Sequence, residues 1–299
     1  MKLIKPYFEI WEQSAGLEGA YKQIERVGRV CYKSEDKITE DSAKPFVDRM
    51  IKSGHGAMLE HGTVYLKITY KYTDFTTLCM FYGKNKYSVL NHSEDNKIYY
   101  ITTNYRVLVE NNHLSDLKYL CEPTEFHEKR VTVYFVCDRG VSHEFVRHRV
   151  MSFAQESTRY CNYSKKDKFG NELTFIIPCW LDIPTGQYVY WDDDWCDIDK
   201  MKIQLPEGEH KDIDAFLWTL NNAETHYTLL INSGWKPQEA RAILPNSLKT
   251  ELVVTGFTSD WNHFFDLRAR GTTGAPHPQA KELAEPLMKE FIARKYINN

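Results

Sequence analysis

Long apolar runs are missing from this chain. No stretch approaches the ~18 apolar residues of a membrane-spanning helix, and the opening Met-Lys-Leu-Ile-Lys-Pro lacks the apolar core of a signal peptide. A soluble, cytoplasmic protein with no membrane partner is therefore expected. Paired cysteine spacing is missing too. The seven cysteines (Cys31, Cys79, Cys121, Cys137, Cys161, Cys179, Cys196) are odd in number, scattered, and never fall as Cys-x-x-Cys. That pattern suggests neither a disulfide framework nor a zinc ribbon, and no metal is expected. Nor is there a basic excess: 38 Lys and Arg against 41 Asp and Glu leave a formal charge of -3. A generic binder of polymeric nucleic acid or of membrane surfaces would carry a net basic face. Internal repeats and low-complexity linkers are also absent.

What is present is enough apolar material, 42% of 299 residues, for one large domain or two. Leu17, Ala20, Tyr21, Ile24, Val27 and Cys31 recur at helical spacing, as do Phe46, Val47, Met50 and Ile51 before Gly54. Val64, Leu66, Ile68 and Tyr70 alternate with Tyr65, Lys67 and Thr69, which predicts a strand with one buried face. Lys97–Thr102 and Tyr105–Val109 read as strand-like runs, and Thr174–Pro178 as a short strand. The stretch from Trp191 to His210 is acidic and aromatic, as a surface insertion would be. Ile213, Phe216, Leu217, Leu220, Tyr227, Leu230 and Ile231 line a long helix closed by Gly234, and Pro237 opens a short one. A helix capped by Thr258 or Ser259 follows, with Trp261, Phe264, Phe265 and Arg268 on one stripe, and a last helix from Pro278 should kink at Pro286.

Local charge is the informative kind. Arg147-His148-Arg149 is followed after seven positions by Ser157, then by Arg159-Tyr160. Guanidinium groups packed so closely repel one another unless an anion sits among them, and their planar donor forks match phosphate or carboxylate oxygens. A solvated basic turn is the bland alternative. The β-branched and aromatic run Val131–Val136 upstream predicts a buried strand, Asp138-Arg139-Gly140 a turn, and Ser142 the N-cap of a short helix bearing Phe145, Val146 and Val150. The triplet is thus expected on an element docked against the core.

These residues resemble the signature of the flavin-dependent thymidylate synthases: Arg-His-Arg, seven residues, Ser, then commonly Arg-Tyr. Here it stands as RHRVMSFAQESTRY, Arg147 to Tyr160. Further blocks agree in order. His55-Gly-Ala-Met-Leu-Glu-His61 is similar to the family's His-x-x-x-x-Glu-His turn, Ala240-Arg241-Ala-Ile-Leu-Pro245 to its Ala-Arg-x-x-Leu-Pro segment, and His263–Arg268 to its helix ending in Leu-Arg. The resemblance implies an α+β fold with a mixed or antiparallel central sheet and flanking helices. It implies one domain over residues 1–299, with insertions at about 72–130 and 181–211.

It also implies the activity: reductive methylation of dUMP to dTMP, with methylenetetrahydrofolate as carbon donor and NADPH as reductant through FAD. Activating uracil C5 needs either a thiolate added at C6 or electrostatic polarisation of the ring, and arginines suit the second route. By resemblance, Arg268 and Ser157 are catalytic. Glu144, Arg147, Gln155, Glu156, Ser157, Thr158, Arg159, Arg241 and Arg268 would contact dUMP, and Arg147, His148, Arg149, Gln155, His263 and Ala57 the FAD. A homotetramer with sites shared between subunits is implied as well. The chain departs from the family pattern at Glu144, where Gln is common, at Cys31 and Ala57, where Ser or Thr is common, and at Phe257 and Ser259, which replace Asn and Arg.

Three rival chemistries remain on the residues alone. His143 and His148 are five apart, whereas a helical zinc site needs four so that both rings leave one face. The basic triplet on an aromatic-rich chain could be a non-enzymatic RNA- or phosphate-binding patch. Cys161, directly after the signature, could be a nucleophile if its thiol were acidified.

Overall fold

The two runs Arg130–Asp138 and Lys249–Phe257 are almost wholly buried, so both faces of the sheet they form must be covered. They pair antiparallel along their whole length, from Arg130 opposite Phe257 to Asp138 opposite Lys249. Tyr7–Trp11 adds to the outer edge of the first and Ser152–Gln155 to that of the second. The computed structural model describes residues 1–69, 75–93, 98–165, 169, 172–191, 194–197 and 211–298.

In chain order the strands are β1 (Lys2–Ile4), β2 (Tyr7–Trp11), β3 (Thr63–Thr69), β4 (Val89–Ser93), β5 (Ile98–Asn104), β6 (Arg130–Asp138), β7 (Ser152–Gln155), β8 (Thr174–Ile176), β9 (Gly186–Trp191), β10 (Asp194–Asp197) and β11 (Lys249–Phe257). The α-helices are α1 (Gly16–Tyr32), α2 (Ala43–Lys52), α3 (Gly56–Leu59), α4 (Phe75–Tyr82), α5 (Tyr105–Glu110), α6 (Arg139–Phe145), α7 (Lys211–Asn232), α8 (Pro237–Ala240), α9 (Thr258–Phe265) and α10 (Pro278–Ala293).

The central sheet has the order β2-β6-β11-β7 and is antiparallel throughout. One face carries Val131, Val133, Phe135, Leu252 and Val254, packed with Phe145, Trp261, Phe264, Phe265 and Phe291 from α6, α9 and α10. The opposite face carries Trp11, Ala154 and Val253 against Val27, Val30 and Cys31 of α1. A second sheet, β10-β9-β1-β8, contains a parallel pair, β1 with β8, and packs on α7. A third, β3-β5-β4, is covered by Ile24 of α1, by α2 and by α5. The class is therefore α+β with mixed and antiparallel sheets, as expected.

Several local expectations change. Tyr105–Val109 is not a strand: Asn104 Oδ1 accepts from the Val107 N–H and caps a helix there, a local hydrogen bond that overrides the strand preference of its valines. Ser142 is not the cap of α6. Asp138 is, its Oδ1 accepting from the Val141 N–H at 2.8 Å, while the Ser142 hydroxyl donates to the Arg139 carbonyl inside the helix. The helix α6 ends at Phe145, and Arg147-His148-Arg149 occupies the turns that follow it, with Val146 and Val150 exposed. At α9 the cap position is Phe257, whose N–H donates to Asp260 Oδ2, and the Ser259 hydroxyl donates instead to Glu128. Pro286 lies inside α10, and Gly234, closing α7, has a positive φ of 94°. Tyr70 and most of the acidic stretch from Trp191 to His210 lie outside the described residues, although Asp194–Asp197 pairs with β9.

Candidate active site

Arg268 reaches its place through the aromatic packing of α9. Trp261, Phe264 and Phe265 are buried, and the Trp261 indole donates to the Val131 carbonyl at 3.1 Å, which fixes the helix on the central sheet. The last turn widens into a π-helical segment, Asp266–Arg270, closed by Gly271 at φ 70°. Such widened turns re-aim side chains. Here Arg268 is delivered to the C-terminal end of α6. Its Nη1 pairs with Glu144 Oε2 at 2.5 Å, its Nη2 donates to the Glu144 carbonyl at 2.9 Å, and its Nε donates to His148 Nε2 at 3.3 Å. A cation beside the free carbonyls of a helix end is favourable.

That last bond requires His148 to accept, hence to be neutral. Burial, with the charges of Arg268 and His263 adding to it, pushes the ring down to about 4 from its ordinary 6.5. The His263 ring lies 5.9 Å away, and that of Phe264 4.9 Å. Arg147 and Arg149 are exposed, as are His55 and Ala57.

The Ser157 turn is built differently. Gln155, at the end of β7, donates to the Ser142 hydroxyl at 2.9 Å and to the Thr250 hydroxyl at 3.1 Å, tying the strand to α6 and β11. The next two backbone N–H groups donate to the carbonyls of Glu251 and Cys31, and those of Tyr160 and Cys161 to the Ser157 carbonyl. Arg241, brought in by the Ala240–Pro245 segment, donates from Nη1 to the Thr158 hydroxyl at 3.1 Å. The Arg159 N–H donates to Ser157 Oγ at 3.3 Å. Arg159, Tyr160 and Arg241 are exposed.

Glu156 lies deeper than the rest of the signature. Its side chain is 0% exposed and engaged by protein groups, Oε2 by Lys249 at 2.8 Å and Oε1 by the Tyr163 hydroxyl at 2.9 Å. Lys249 also pairs with Glu251, and Lys33 holds both Glu251 oxygens at 2.7 Å. Burial alone would lower the Lys249 ammonium, but Glu156 and Glu251 together outweigh it and the net direction is up. Lys33, Lys249, Glu251 and Tyr163 escaped sequence reasoning. The one available signal was Lys249-Thr250-Glu251, two charges on one face at the head of an otherwise apolar strand.

Two centres result, Arg268 with Glu144 and His148, and Arg241 with Thr158 beside Ser157, joined through α6, which carries both Ser142 and Glu144. The remaining family blocks support the frame. His61 is fully buried with Nδ1 2.7 Å from the Thr255 hydroxyl, and Arg130 donates to the Glu60 carbonyl and to the hydroxyls of Thr63 and Ser152. The Cys31 thiol contacts the Met58 sulfur, and Phe257 lies under the Arg130 guanidinium. Burial, then Glu156, pushes the Cys161 thiol up to about 12, so it is protonated at neutral pH and unsuited to nucleophilic attack. Among the described residues no group of His, Cys, Asp and Glu is placed to hold a metal, and no helix is long and apolar enough to cross a membrane.

Comparison with known proteins gives the family. The chain is 31% identical over 133 residues to a flavin-dependent thymidylate synthase of Thermococcus onnurineus (strain NA1), covering 44% of this chain and 43% of that one. With the enzyme of that name from Pyrococcus furiosus it is 31% identical over 164 residues, 54% and 53% of the two chains, so the chain spans about half the length of these relatives. With that of Corynebacterium aurimucosum it is 23% identical over 282 residues, 93% and 78% of the two. A solved structure, the UMP/dUMP methylase PolB from Streptomyces cacaoi bound with 5-Br dUMP, aligns over 98% of this chain and 93% of that one at 17% identity and a TM-score of 0.43. The family model described as thymidylate synthase complementing protein matches residues 71–294, well over half of the sequence, and the chain belongs to that family.

Proposed function

We propose that this protein is a cytoplasmic, flavin-dependent thymidylate synthase. It methylates dUMP to dTMP with methylenetetrahydrofolate as carbon donor and NADPH as reductant through FAD. The observation that carries the reading is the meeting of Arg268 with the signature segment at Glu144 and His148, across more than a hundred residues of sequence.

The donor set suits an anionic dinucleotide. Arg147 and Arg149 are exposed, and among the described residues neither guanidinium has a side-chain partner, while neutral His148 and exposed His263 lie alongside. With Gln155 and Ala57 these residues would hold FAD, which when bound supplies the hydride. Arg268 would donate to the pyrimidine as charge develops on it, the work of an oxyanion hole. The Ser157 hydroxyl would orient the ring. Arg147, Arg159 and Arg241, with Thr158, would take the phosphate, and Gln155 would bridge nucleotide and flavin. Glu144, already bonded to Arg268, would act by aiming that guanidinium. One domain with inserted segments at about 72–130 and 181–211, assembled as a homotetramer with shared sites, completes the reading. The exposure of Arg147, Arg159 and Arg241 supports that assembly.

The test is spectroscopic first. Purified protein should be yellow, with a flavin absorbance band that shifts on adding dUMP; a colourless preparation that retains RNA overturns the reading. Arg268→Ala should lower methyl transfer by about 100-fold or more while NADPH still reduces the flavin. Equal loss of both half-reactions counts against the assigned role.

A further inference from the structure

We infer that Glu156 and Lys249 are positioning residues: the buried ion network beneath β7 fixes the backbone of the Ser157 turn, and thereby the geometry in which that turn meets the nucleotide. The inference rests on the proposed function and names which residues set nucleotide affinity without touching the nucleotide.

Four segments converge on one ion network. Glu156 leaves the end of β7, Lys249 and Glu251 leave the head of β11, Tyr163 follows the turn, and Lys33 follows α1 in a left-handed conformation at φ 46°. Side-chain exposures of 0% for Glu156, 7% for Glu251, 15% for Lys249 and 21% for Lys33 put Glu156 at the buried end of the network and Lys33 at its outer end. Lys249 faces Glu156 and Glu251, and Lys33 faces Glu251 and, at 3.2 Å, the more exposed Glu35. Backbone bonds extend the clamp to the residue that matters: the Glu156 N–H donates to the Glu251 carbonyl at 2.8 Å and the Ser157 N–H to the Cys31 carbonyl at 3.1 Å.

Such a network is a poor way to gain stability. Desolvating the ions offsets most of their attraction, and apolar residues of like volume often do as well. What it does provide is direction. An ion pair with both carboxylate oxygens satisfied has one good arrangement, whereas an apolar contact tolerates sliding. Removing one partner leaves a buried charge that drags the turn toward water, and neutralising both removes that drag. A residue that bound nucleotide directly would behave otherwise, since its loss could not be repaired from Lys249.

The test uses the flavin-loaded protein and four variants: Glu156→Gln, Lys249→Met, the double variant, and Tyr163→Phe. Each single ion-pair variant should raise the KM for dUMP about tenfold, equivalent to about 1.4 kcal/mol, with kcat and flavin reduction by NADPH within about twofold. The double variant should return to within about threefold of wild type, reflecting the coupling of contacting residues. Should either single variant fail to fold, Tyr163→Phe carries the same test with a smaller rise of about threefold. Folded single variants with unshifted KM for dUMP overturn the inference. So do additive losses in the double variant, or equal rises in KM for dUMP, folate and NADPH. Absence of dUMP turnover in the wild-type protein sinks the enzyme reading and this inference together; normal wild-type turnover with unshifted variants sinks the inference alone.

Discussion

Arg268 is held by three hydrogen bonds, two of them to Glu144, and a guanidinium has further N–H donors left for a ligand. Fixing the group in advance removes the cost of ordering it during the reaction. The same economy governs the histidines. His148 accepts from Arg268 and so must stay neutral, and His61, walled in with Arg130 nearby, is pushed by burial down to about 3. The pH consequence has a definite sign. Unfolded histidine binds a proton below about 6.5, while the folded rings refuse one until about 4 and about 3. The stability they contribute is therefore fully present above pH 6.5 and lost as pH falls toward their folded values. Each should add up to about 1.4 kcal/mol per pH unit to the slope of unfolding free energy in that window. Urea unfolding between pH 7 and pH 4 checks this: His61→Asn should flatten the profile, and an unchanged slope would mean that another group carries it.

At the scale of elements, the short helix α6 is the joint of the site, with Asp138 capping it, Ser142 receiving Gln155 from β7, and Glu144 receiving Arg268. Asp138 Oδ2 also accepts from Gln279 Nε2, so one carboxylate seats both α6 and α10. Asp138→Ala should lower stability by about 1–2 kcal/mol, read as a shift of the denaturation midpoint, and a shift below a few tenths would remove it as the cap. The periodic elements were legible in advance, because α1, α2, α7 and the strands β3, β6 and β8 present the repeats their residues suggest. Caps were harder. Asp138 and Asn104 act through single hydrogen bonds, which spacing alone does not rank against neighbouring Ser142 or against the valines of α5. The signature was legible as a motif, yet the carboxylate inside it was not legible as buried. Lys33 and Glu251 are separated by 218 positions, and no local pattern announces that they meet.

At the scale of the whole molecule, three sheets each carry their own apolar cluster, and α1 bridges two of them through Ile24 on one side and Val27, Val30 and Cys31 on the other. The arginines of the signature and of the Ala240–Pro245 segment are exposed, and in the proposed assembly a second copy would complete the site around them. Mixed oligomers test this. Arg147→Ala and Arg268→Ala proteins, each inactive alone, should regain a measurable fraction of activity when dissociated together and reassembled, and persistent inactivity of a verified mixed assembly would argue for sites confined to one subunit. Strand β11 meets every part of this machinery. Leu252 and Val254 enter the aromatic cluster, while Glu251, Val253 and Thr255 on the opposite face reach Lys33, α1 and His61. Successive side chains alternate across a sheet. The loss of a single codon within this stretch would therefore trade the two faces, driving a carboxylate among phenylalanines and a leucine among ammonium groups. A codon lost from the surface turn at residues 83–86 would shorten only a connection. For inheritance, then, β11 can change its letters far more readily than its length.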